Sequence, residues 1–113
     1  MKVLDKLKYL YHATTQIKNV TDIMSNGFNT EETYFCTKVD HAAMFMDLYH
    51  GKGVCYVLEI DVSNLNMNKL EVSDDHNPDF FPKDLKAYVY KGVIPKGLVN
   101  NVYTVTSEND RTE

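Results

Sequence analysis

The chain has 113 residues, of which 43% are hydrophobic and 25% charged, with a formal net charge of -4. That length and apolar share belong to one folded domain, residues 1–113, and the acidic balance excludes nonspecific nucleic-acid binding through a broad basic face, leaving room only for a local basic groove. No apolar run approaches the roughly 20 residues of a membrane span, and the stretch MKVLDKLKY alternates charge with aliphatics, unlike a secretory signal, so a cytoplasmic protein with no membrane partner is expected.

Residues 9–13 mix aromatics with a leucine after a lysine-rich lead and predict a first strand that stops as the threonines begin, with His12 at its end. Thr15 or Asn19 then caps a short amphipathic helix carrying Val20, Ile23 and Met24, stopped by Asn26-Gly27. The segment TYFCT, 33–37, reads as a second strand. DHAAMFMDLYHG reads as a second helix, with Ala42, Ala43, Phe45, Met46 and Tyr49 apolar, His41 and His50 on or beside its polar part, and Gly51 and Gly53 closing it.

The strongest strand signal is 54–62. Val54, Tyr56, Leu58, Ile60 and Val62 share one face; Cys55, Val57, Glu59 and Asp61 share the other, which is expected to become solvated toward its end. A short strand KLEVS follows, then the polar loop DDHNPDFFP, a strand AYVYKGVI, a turn over 95–97, a last strand VNNVYTV and a flexible tail, 107–113. Two early helices followed by a run of strands predict an α+β domain with a largely antiparallel sheet, whole or split.

The sequence contains no P-loop, GxGxxG, HExxH or GxSxG. Its four histidines, His12, His41, His50 and His76, show no metal-ligand spacing, so no metal site is expected, and Cys36 and Cys55 inside strand-like runs read as small buried hydrophobes. His12 with the threonines after it either turns imidazole and hydroxyls toward a ligand or merely caps the sheet by bonding a backbone carbonyl. Tyr34 either stacks on a flat ring or packs. The loop Asp74-Asp75-His76-Asn77 combines acid, base and amide just before Phe80 and Phe81, which could dock it on the core; it reads equally as a solvated turn. Eleven lysines against the single Arg111, with many asparagines, suggest an AT-rich coding genome such as that of a phage or a low-GC bacterium.

Taken together, the order is YHAT ending a first strand, a short helix ending in NGF, YFCT, a helix beginning HAAMF, a glycine, VLEIDV and finally YVYKGVIP. That order resembles the ADP-ribosyltransferase superfamily, the fold of diphtheria toxin and the poly(ADP-ribose) polymerases, over roughly residues 10–105. The resemblance implies a split antiparallel β-sandwich with two short helices in the N-terminal half, and NAD as substrate in a cleft between the first two strands. By match to the histidine-tyrosine branch, His12 would bond the nicotinamide-side ribose with Thr14 beside it, and Tyr34 would stack on nicotinamide. Tyr11, Ala13, Phe35 and Phe45 complete the implied NAD-binding set.

The family's third element is a glutamate at the start of a late strand. Here Lys86, in LKAYVY, stands near that place, and a cation cannot stabilise an oxocarbenium ion. Catalytic help would then come from Asp75 or His76 in the upstream loop, giving His12, Tyr34, Asp75 and His76 as the implied catalytic set. The RNA 2'-phosphotransferase branch fits less well, because its phosphate-gripping arginines have no counterpart beyond Arg111. The function implied is mono-ADP-ribosylation of a protein or nucleic-acid acceptor by a phage or bacterial effector, in the host cytoplasm if the source is a phage. The alternative is a catalytically inactive member of the same fold that binds a nucleotide or a host protein as an inhibitor.

Overall fold

Alternating apolar residues let both faces of the sheet serve as core. The computed structural model describes residues 7–51, 53–73 and 81–106. In chain order these form β1 (Tyr9–Thr14), α1 (Ile17–Asn26), β2 (Thr33–Cys36), α2 (Val39–His50), β3 (Val54–Asp61), β4 (Leu70–Ser73), β5 (Ala87–Tyr90) and β6 (Val99–Thr106). All neighbouring strands pair antiparallel in one sheet of order β4-β5-β2-β1-β3-β6. Leu10, Leu58 and Ile60 pack with Val20 and Ile23 of α1 on one face. Cys55, Val57 and Cys36 pack with Ala42 and Ala43 of α2 on the other, where the small alanines let the helix approach closely.

The α+β architecture therefore holds, but the expected division into a sandwich does not appear among the described residues. With a helix on each face, no face remains for a second sheet. The division survives as a seam within the sheet. β1 pairs with β3 through six consecutive residues, from Tyr9↔Asp61 to Thr14↔Tyr56, whereas β1 meets β2 only at Tyr11↔Cys36. Two three-stranded halves, β4-β5-β2 and β1-β3-β6, thus join along one line.

Several local expectations need correction. Gln16 precedes α1 without capping it, and the hydroxyl that serves the helix start is Thr14 Oγ1, which accepts from Gln16 N at 3.3 Å and Asn19 Nδ2 at 2.9 Å. The far face of β3 opens only at its last residue, Asp61, because Glu59 before it is only 5% exposed. His41 is likewise buried on α2. β5 ends at Tyr90 rather than running through Ile94, which instead exchanges two backbone hydrogen bonds with Phe28, and the chain then makes one 3-10 turn at Lys96–Leu98. The 74–80 loop, including Asp75, His76 and Phe80, and the 107–113 tail lie outside the described residues.

The end of α1 depends on Gly27. Its φ is +81°, its N–H donates to Ile23 O at 2.7 Å, and a Cβ there would run into Ile94 O while sitting 2.9 Å from Lys96 N. Both obstacles are backbone, which cannot rotate away. Gly27→Ala is expected to cost about 2–3 kcal/mol, read as a lower urea midpoint at an unchanged m-value.

Candidate functional site

The seam is occupied by a side chain. His12 Nδ1 donates to the backbone carbonyl of Tyr34 at 2.8 Å, so the imidazole of β1 reaches across to β2 where ladder pairing is sparse. Its ring stands edge-on to Phe28 and Phe35, with centroids 5.3 and 5.8 Å away. Burial lowers its pKa below the ordinary 6.5, outweighing the opposing effect of the carbonyl. The ring is therefore neutral near pH 7. Since a carbonyl only accepts, Nδ1 carries the proton and Nε2 keeps a bare lone pair.

Two cavities meet at this ring, and His12 and Tyr34 line both. The first, of about 320 Å³, lies between the sheet and α2, with Tyr11, Ala13, Tyr34, Ala42 and Phe45 among its walls. Phe45 stacks on Phe81 at 4.5 Å and on Tyr49 at 6.1 Å, forming an aromatic ladder that closes one side. The second, of about 420 Å³, lies beside the C-terminal end of α1 and is more polar, bounded by Asp22, Thr30, Glu32 and Thr33. Among the described residues no lysine or arginine lines either cavity. The first cavity suits a flat, uncharged ring and the second a hydroxyl-bearing group.

Most residues expected at the site gather here: Tyr11, His12, Ala13, Tyr34, Phe35 and Phe45 all line the first cavity. Thr14 does not. It is 7% exposed, lines neither cavity, and its hydroxyl is committed to the start of α1. Lys86 is exposed and lines neither cavity, although Ala87 beside it reaches the first. Asp75 and His76 lie outside the described residues. Phe81, expected to dock the polar loop, does pack on the core, 7% exposed against Phe45.

Tyr11 does more than line a wall. Its hydroxyl donates to Glu59 Oε2 at 2.8 Å, and burial with the neighbouring carboxylate pushes its pKa up to about 12. Tyr103 and Asn100 also donate to Glu59, at 3.2 and 2.6 Å. Cys36 is buried, and desolvation raises its pKa to about 12, so it presents a neutral thiol to the cavity and not a nucleophile.

Sequence reasoning passes over Glu32. Tyr34 Oη donates to Glu32 Oε1 at 3.2 Å, and Glu32 lines the second cavity beside His12. The available signal was alternation, since Glu32 and Tyr34 are two apart on one extended stretch and share a side. Comparison with protein-family models and with curated proteins finds no match.

Proposed function

We propose that this chain is a small mono-ADP-ribosyltransferase of the ADP-ribosyltransferase fold, taking NAD as substrate and modifying a protein or nucleic-acid acceptor, as a phage or bacterial effector that acts in the host cytoplasm if its source is a phage. The observation that carries this reading is His12, held neutral in the seam between an aromatic cavity and a polar one. Nε2 is an acceptor for a ribose hydroxyl. The walls formed by Tyr34 and Phe45 suit stacking on nicotinamide.

In this reading the seam holds the ribose, with nicotinamide to one side. The test incubates labelled NAD with a bacterial lysate and compares wild type with His12→Ala. Label should pass to an acceptor with wild type and not with the variant; label transfer that survives the substitution overturns the site.

Lys86 favours a second reading. An exposed cation near the chain position at which the resemblance expects a carboxylate suits a catalytically inactive protein that binds a nucleotide or a host protein through the same cleft. NAD binding without transfer to any lysate component selects it.

A further inference from the structure

We propose that Glu32 is the catalytic carboxylate of this site, an inference that rests on the ADP-ribosyl transfer read above. Breaking the bond between C1' of the ribose and nicotinamide sends the electron pair out with nicotinamide and leaves positive charge on C1' and the ring oxygen. An anion beside that carbon lowers the barrier. The incoming water or acceptor group then bonds to C1' and passes its proton to the carboxylate.

The other described carboxylates near the sheet are already engaged. Glu59 takes three donors and lines neither cavity. Asp84 is held by Lys38 at 3.1 Å, and Asp61 by the amide and hydroxyl of Ser63. Asp22 shares the second cavity but accepts from Asn26 Nδ2 at 2.8 Å.

Glu32 lines a cavity with His12 and accepts a hydrogen bond from Tyr34. Its Oε1 accepts from the Tyr34 hydroxyl, which fixes the carboxylate beside the ring that walls both cavities. Among the described residues no partner takes Oε2, so one oxygen is left for a ribose hydroxyl or an incoming nucleophile. Among the described residues no lysine or arginine lines the cavities to neutralise that charge.

The experiment measures NAD binding and nicotinamide release by the full chain, wild type against Glu32→Gln, with Glu32→Asp as conservative rescue and Glu31→Gln and Lys86→Ala as controls. Glu32→Gln should lower kcat about 100-fold while Kd for NAD and the thermal midpoint stay close to wild type. Glu32→Asp should recover part of the rate. Wild-type turnover that Glu32→Gln leaves intact overturns the role of Glu32 and spares the transferase reading. Wild-type binding without nicotinamide release overturns Glu32 and leaves a binding cleft. Absence of NAD binding by wild type removes the underlying reading, and Glu32 with it.

Discussion

His12→Ala is expected to weaken NAD binding at least tenfold, which corresponds to about 1.4 kcal/mol, and to lower unfolding stability by about 2 kcal/mol. The two effects have different origins. In the proposed reading binding suffers because Nε2, an acceptor that both cavities share, disappears. Stability suffers because the hydrogen bond to Tyr34 O and the edge-on contacts with Phe28 and Phe35 vanish where β1 and β2 have little else between them.

The substitution also changes the response to pH. With the folded-state pKa lowered from 6.5, the unfolded chain binds a proton that the folded chain refuses. The stabilising contribution is thus complete above about pH 6.5 and lost as pH falls below it. His12→Ala should remove that portion of the acid slope in urea unfolding at about pH 5 and about pH 7.5. Calorimetric titration with NAD reads the binding half. Unchanged affinity alongside lost stability would assign His12 to the sheet alone.

Glu59→Ala is expected to cost more, about 3 kcal/mol. The carboxylate is 5% exposed and accepts from Tyr11, Tyr103 and Asn100, donors drawn from β1 and β6 on either side of β3. Removing it leaves three donors facing a hole, although the partly exposed tyrosines can recover some water. Glu59→Gln keeps the volume but turns an amide N–H toward donors, and should cost about 1–2 kcal/mol. Guanidinium unfolding followed by circular dichroism measures both; a Glu59→Ala midpoint equal to wild type would show the cluster to be solvated.

The chain's alternation made most elements legible. The short run TYFC and the 54–61 strand follow from period-two patterning with aromatic and β-branched residues, and Asn26-Gly27 marks the first helix stop, where φ is positive. The errors over burial share one cause, which is that burial is decided by partners distant in sequence. Glu59 reads as solvated because an acid usually is, and only Tyr11 and residues of the last strand make its burial tolerable. His41 reads as part of a polar helix face, yet the packing of α2 encloses it.

The site was half legible. His12 and Tyr34 declare themselves by residue type at strand positions; the ring of the histidine bonds a carbonyl and also lines two cavities. Glu32 was hard to single out, because its two-residue offset from Tyr34 does not set EET apart from any polar connection between a helix stop and a strand. Its relation to Tyr34 appears only once the extended backbone places both side chains together.

The single Tyr11↔Cys36 pairing has a mechanical consequence. Compliance in this sheet is concentrated at one line, with the firm ladders of β1-β3-β6 to one side and of β4-β5-β2 to the other. Any molecule gripped by His12 from one leaf and Tyr34 from the other acts as a splint across that line. Occupancy and stiffness then become one variable, and slower amide exchange at Tyr11 and Cys36 would report both.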